Sequence, residues 1–399
     1  MKYSLSGILL LLGWLSCLET RAQEEFVEPP AKHITTVPFT QLTGGIIILR
    51  ARFDSLPDTL NFILDTGSSG ISLDSSTADY LGLEPVPTER TIRGIAGIRK
   101  VNFLYNKTLH FPGLSINNLD FHINDYEILT AVYGERIDGI IGYSVISRYI
   151  MKVDYDSNQL QFFTRGMIRY PRGGYLLKPA ISQLVSQPMR VKDDRAVYSR
   201  FLFDMGAGLC LLLTREFVED SSLFVKKKKI FIKEAEGLGG KLDMDLTVLK
   251  EVRLGPYRFR NVPVFVFDDE YNVSSYPYMG GILGNDLLRR FNVILNYAKG
   301  DIHIMPNSHF NDVFDYSYSG LELYLVNGLI LVGDVAKGSP AEAAGLMEGD
   351  EVIAINKNIG HNLNAYKIAL QRPNEKIKII VRRDGLMREF EFKVKSIRQ

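Results

Sequence analysis

The sequence has 399 residues, 46% apolar and 23% charged. These are ordinary globular proportions, which exclude wholesale disorder and leave room for about two to three domains. Lys plus Arg number 47 against 46 Asp plus Glu, for a net charge of +1. That balance gives no support to a nucleic-acid-binding footprint or a strongly basic membrane-binding surface. The 34 glycines and the 11% aromatic content favour tight turns and strands.

The chain begins with Lys2 and an apolar run from Ile8 to Leu15, too short to span a bilayer. Thr20-Arg21-Ala22 then places small residues at the two positions a signal peptidase reads. Residues 1–22 are therefore expected to be a cleaved secretion signal, with Gln23 as the new N-terminus and a periplasmic or secreted destination. Lipid attachment at Cys17 is the weaker alternative, because Trp14 stands where lipoprotein signals usually carry Leu. No later apolar stretch is long enough for a transmembrane helix. Of the two cysteines, only Cys210 survives removal of the signal. It sits in the apolar run Leu209 to Leu213, where a buried inert thiol is expected. The six histidines are scattered without metal-ligand spacing, so neither a metal nor an organic cofactor is implied.

From Val37 to Pro306 the chain repeats itself. The first copy, residues 37–165, contains Phe62-Ile63-Leu64-Asp65-Thr66-Gly67-Ser68. The second, residues 175–306, contains Phe201-Leu202-Phe203-Asp204-Met205-Gly206-Ala207. Each motif is followed by a Gly-rich stretch: Gly94-Ile95-Ala96-Gly97 and Gly237-Leu238-Gly239-Gly240. An apolar pair and a glycine come next, as Ile140-Ile141-Gly142 and Ile282-Leu283-Gly284. Both of these glycines are followed at equal spacings by an arginine (Arg148, Arg290) and a tyrosine (Tyr155, Tyr297). Strand signals such as Val262 to Phe267 and Phe291 to Leu295 alternate with turn residues at 54–58 and 192–195. A short helix is expected at 76–81, and Tyr170 to Gly174 reads as a linker. Lys226 to Lys229 reads as a solvated run guarding the apolar Ile230-Phe231-Ile232.

Each aspartate ends a buried strand and enters a tight turn. Two such units packed face to face would bring both carboxyls together, where they would share one proton. The ionised member can then take a proton from water while the other polarises a carbonyl. On these residues the region resembles the aspartic proteases, both retropepsin-like and pepsin-like. The resemblance implies a mainly β, bilobal fold with Asp65 and Asp204 as catalytic residues acting on polypeptide substrate. It further implies that each apolar-apolar-Gly strand crosses behind its aspartate loop, and that the Gly-rich stretches are flaps. Two flaps point to a retropepsin dimer fused into one chain. Thr66, Gly67, Ser68, Gly206 and Ala207 would support the dyad loops. Met205 departs from the pattern, because the family carries Thr or Ser there to brace the opposite loop. A catalytically inactive peptide-binding protein is therefore the alternative. Ser68 offers Asp65 a hydroxyl that Ala207 cannot offer Asp204.

After Ser308 the pattern changes. Ser339-Pro340 opens a short helix that Gly345 ends, and Gly349-Asp350 turns into the strand Glu351 to Asn356. Leu363 to Leu370 suits an amphipathic helix, and two strands close the chain. Residues 315–399 resemble a PDZ domain of the bacterial protease-associated type. The resemblance implies binding of peptide C-termini, with Ser319, Gly320 and Leu321 at the carboxylate loop.

Overall fold

The structure is a computed structural model describing residues 28–95, 97–237 and 240–398. The expected secretion signal, with Cys17, lies outside the described residues. So do Ala96, Leu238 and Gly239 of the two expected flaps. Among the described residues no helix is long and apolar enough to cross a membrane.

The fold is mainly β, and the repeat is visible strand for strand. In the first lobe the order is Ile47–Phe53, Thr59–Leu64, Gly139–Ile141, Ile71–Asp74, Leu114–Asn124 and Phe103–Phe111. Pairing of Ile47–Phe53 with Phe103–Phe111 closes this lobe. The second lobe repeats the order with Val185–Lys192, Ala196–Phe203, Gly281–Leu283, Leu211–Thr214, Tyr257–Phe267 and Gly240–Leu254. It closes by pairing its first strand with its last. Even the helix starts correspond. Asp74 caps Ser75–Tyr80 by accepting from the Thr77 N–H, and Thr214 caps Arg215–Asp220 by accepting from that of Phe217.

The lobes are not separate barrels. The last hairpin of each copy leaves its barrel and joins one common sheet. Met151, Lys152 and Val153 pair antiparallel with Leu295, Ile294 and Val293. The two Asp loops are thereby held above a continuous floor, and one apolar core runs from Phe62 through Met205 to Leu295.

The C-terminal region has its own core around Leu323, Ile330, Val352, Tyr366 and Ile377. Its five strands run Leu321–Val326, Leu329–Val335, Glu351–Ile355, Lys376–Arg383 and Leu386–Lys393, in spatial as well as chain order. The helix Pro340–Ala344 is capped as its sequence implies. The Ser339 hydroxyl accepts from the Glu342 N–H at 3.1 Å, and Gly345 takes the left-handed conformation with φ 94°. Buried Asp350 holds the turn before Glu351–Ile355, accepting two bonds from the Arg383 guanidinium. A bidentate pair of this kind fixes direction as well as distance.

In the lysine run Lys226, Lys227 and Lys229 are exposed, as expected of a solvated loop, and only Lys228 differs. Lys228 pairs at 2.6 Å with Asp193, whose carboxylate is buried. A buried carboxylate needs a countercharge, so this lysine is structural.

Candidate active site

In both copies the dyad strand ends beneath a crossing strand. Phe62, Ile63 and Leu64 pair parallel with Gly139, Ile140 and Ile141, and the latter pair antiparallel with Ile71, Ser72 and Leu73. Leu202 and Phe203 stand in the same relation to Ile282 and Leu283, and these to Leu211 and Leu212. The glycine ending each crossing strand runs against the loop above it. A Cβ on Gly142 would strike the carbonyls of Ser68 and Gly70, and one on Gly284 those of Ala207 and Leu209. This close approach is the physical content of the apolar-apolar-Gly motif.

The two loops meet face to face and bring Asp65 and Asp204 into hydrogen-bond contact. Each carboxyl lies against the glycine of the opposite loop. A Cβ on Gly67 would hit Asp204, and one on Gly206 would hit Asp65. The Gly67 N–H donates to Asp65 Oδ1 at 2.6 Å and the Gly206 N–H to Asp204 Oδ1 at 2.8 Å. Burial, then the adjacent Asp204 charge, holds the Asp65 carboxyl well above the ordinary carboxylate range. Burial raises Asp204 too, but it accepts from Asp65 and from the N–H groups of Gly206, Ala207 and Gly67, all of which favour its charged form. Burial thus raises both carboxyls, and the pair holds one proton between them.

The loop supports expected from the sequence sit at this centre. The backbone N–H groups of Ser68 and Ala207 favour the charged forms of Asp65 and Asp204 respectively. What separates the two loops is the brace. The Thr66 hydroxyl donates to the Phe203 carbonyl at 2.7 Å and accepts from the Met205 N–H at 2.9 Å. Met205, fully buried, fills the reciprocal position with a thioether packed into the core.

Both Gly-rich stretches lie at hairpin ends. Thr91–Gly94 pairs with Gly97–Lys100, closing at Gly94 and Gly97, and Phe231–Gly237 pairs with Gly240–Leu254, closing at Gly237 and Gly240. The first hairpin reaches across to the other lobe. Ile95 packs on a patch containing Leu202, Leu212, Met244 and Ile282, and Arg93 donates to the Asn272 carbonyl at 3.2 Å. Cys210 is buried, as expected, and its thiol donates to Asp286 Oδ2 at 2.9 Å. Burial and the Asp286 charge push this thiol up, away from the reactive thiolate. Ser319, Gly320 and Leu321 line a cavity of about 260 Å³ that the PDZ region shares with both lobes. Among the described residues no group of three or more His, Cys, Asp or Glu side chains is placed to hold a metal ion.

The sequence reading noted Tyr155 and Tyr297 as repeat features without a role. Tyr155 Oη donates to the Asn285 side-chain oxygen at 2.9 Å. Asn285 gives its backbone N–H to the Ala207 carbonyl at 2.7 Å and its side-chain N–H to the Gly45 carbonyl at 2.5 Å. A tyrosine from the first copy thus steadies the second dyad loop. Tyr297 occupies the mirror position beside Tyr143, with ring centroids 6.0 Å apart. Burial, then the charges of Asp65 and Asp204, keeps its hydroxyl protonated. Tyr126, also missed, lies under the first loop with its hydroxyl 2.7 Å from the Ser72 hydroxyl.

Comparison with known families agrees with this geometry. A family model for aspartyl proteases matches residues 50–145 and again residues 188–287. A PDZ domain model matches residues 331–383. A search of curated proteins found no match. Both lobes thus belong to the aspartyl protease family, joined in one chain and followed by a PDZ domain.

Proposed function

We propose that the protein is an aspartic endopeptidase in which Asp65 and Asp204 activate water against a peptide bond. The observation that carries this reading is the contact of two part-buried carboxyls on facing loops, each against the glycine of the other loop and both raised by burial. Asp204 takes a proton from a water molecule placed between the carboxyls as the water oxygen bonds to the carbonyl carbon. Asp65 gives its proton to the carbonyl oxygen, which relieves the charge developing there. The tetrahedral diol then collapses. The leaving nitrogen receives the proton held on Asp204, Asp65 regains its own from the hydroxyl, and acid and amine are released. The flaps would cover an extended polypeptide during this sequence and exclude bulk water. The PDZ domain would orient substrate tails. Residues 1–22 would direct export, and a secreted form beginning at Gln23 by mass spectrometry would establish that.

The test is cleavage of a reduced, carboxymethylated protein from acid to neutral pH, with fragments read by mass spectrometry. Cleavage by the parent that is absent from Asp65→Asn and from Asp204→Asn supports the proposal. A folded parent protein that cleaves nothing at any pH overturns it in favour of peptide binding without hydrolysis.

A further inference from the structure

The PDZ edge strand Leu321–Val326 pairs on one side only, with Leu329–Val335. Such an edge presents unpaired backbone N–H and C=O groups and can accept an added strand. Here the edge does not face open solvent. The helix Glu127–Tyr133 of the first lobe packs against it and against the strand Phe231–Gly237, and one bond links it to the neighbouring PDZ helix Leu363–Ala369. Lys367 Nζ donates to the Val132 carbonyl at 2.6 Å, the Thr43 hydroxyl donates to Asn364 Oδ1 at 3.0 Å, and Leu363 lies under Gly134. Both walls of the groove are therefore taken by one lobe-1 helix.

The same strand also grips the second flap. Tyr324 Oη donates to Glu234 at 2.9 Å, Glu322 pairs with Lys233 at 3.3 Å, and Lys241 lies over the Tyr324 ring. All three partners belong to the hairpin that ends at Gly237 and Gly240. The domain thus bridges the cleft, from a helix of one lobe to the flap of the other.

Two features mark this bridge as detachable. The helix Glu127–Tyr133 contains no fully buried residue, and the cavity of about 260 Å³ remains beside it, bounded also by Gly208 and Leu209 of the second dyad loop. Polar latches over half-buried surface characterise separable interfaces within a chain. The stem, in contrast, is fixed. Phe314, Tyr316 and Tyr318 belong to the lobes' own core, and Tyr318 packs on Phe231 with ring centroids 4.7 Å apart.

We propose that the helix Glu127–Tyr133 is the resident occupant of the PDZ groove, and that an extended polypeptide adding to Leu321–Val326 displaces it and releases the second flap. This rests on the endopeptidase reading for its substrate, and its test separates the two. The full-length Asp65→Asn variant is mixed with a reduced, carboxymethylated protein, and amide hydrogen exchange is followed by mass spectrometry. Slower exchange at 321–326 together with faster exchange at 127–133 is the expected result. Unchanged exchange at both segments overturns the proposal. Protection at the flap residues 94–97 reports on the cleft separately.

A second measurement uses turnover. Thr43→Cys with Asn364→Cys, in a Cys17→Ser background, is bridged by a short bismaleimide, which leaves the buried Cys210 untouched. Bridging is expected to slow cleavage about tenfold relative to the unbridged protein. Equal rates with and without the bridge overturn the proposal. If neither form cleaves, the endopeptidase reading fails, and the exchange experiment alone decides whether the helix leaves the groove.

Discussion

The two dyad loops follow one plan on unequal supports. The first carries Thr66, whose hydroxyl crosses to Phe203 and Met205 and ties both loops together. The second offers no hydroxyl in return, since Met205 faces the apolar core. Both loops are held from below by a backbone N–H, that of Tyr143 to Ser68 and that of Asn285 to Ala207, and Asn285 adds side-chain bonds with Tyr155 of the first copy and Gly45. Two loops can thus reach the same geometry by different routes, one polar brace across the interface and one polar stack beneath it. The lesson extends to the two Gly-rich hairpins. The first is a short hairpin forming a two-stranded sheet of its own. The second continues the strands of its barrel and is tied to the PDZ domain.

The comparison can be broken most severely at the carboxyls. Unequal supports do not make either one dispensable, so Asp65→Asn and Asp204→Asn should each lower kcat by about 10³-fold or more, near the upper range for a positioned acid or base. If one variant keeps substantial activity, the dyad is not the catalytic unit.

Thr66→Val tests the polar brace. It leaves the Phe203 carbonyl and the Met205 N–H unpaired and buried, at about 1–3 kcal/mol for each group. A urea-unfolding midpoint like that of the parent would show that the brace is not supporting the fold. Met205→Thr tests the other side. The lost thioether packing should cost about 2 kcal/mol, even though the new hydroxyl can reach across as Thr66 does. A variant more stable than the parent would mean that the second brace outweighs core packing.

The smallest expected effect is on pH. Asp65 has its carboxyl raised in the fold, so it stabilises the native state while protonated. That contribution is present in acid and is lost as pH rises through the folded pKa. Asp65→Asn should therefore raise Tm at neutral pH by a few degrees, with the gain fading towards acid. A gain of the same size at both ends would assign the effect to something other than this titration.

Much of the candidate site was legible in the sequence because it is encoded in short segments. A buried triplet, an acid and a glycine turn specify a strand that ends in a tight loop, and duplication supplies the second. Ser339, Pro340 and Gly345 likewise announce their helix by capping chemistry. The helix Glu127–Tyr133 was not anticipated. Its segment Glu-Ile-Leu-Thr-Ala-Val-Tyr contains three β-branched residues, which disfavour helix, and Tyr126 provides no side-chain cap. Gly134, left-handed at φ 68°, and Asp125, whose carboxylate accepts from the Glu127 N–H at 2.9 Å, were the local signals that could have found it. Lys228 was misjudged for a related reason, because nothing near it in sequence points to the buried charge of Asp193.

The sequence by itself determined the repeat, the two Asp-x-Gly loops and the capped PDZ helix. In each of these, steric fit and hydrogen bonding act over a few neighbouring residues. Only the tertiary structure decided that the lobes share one sheet, that Tyr155 serves the opposite loop, that burial raises both dyad carboxyls and that the PDZ edge strand packs on the helix Glu127–Tyr133. These depend on groups far apart in the chain, whose meeting is set by packing and whose charges are tuned by the burial that packing creates.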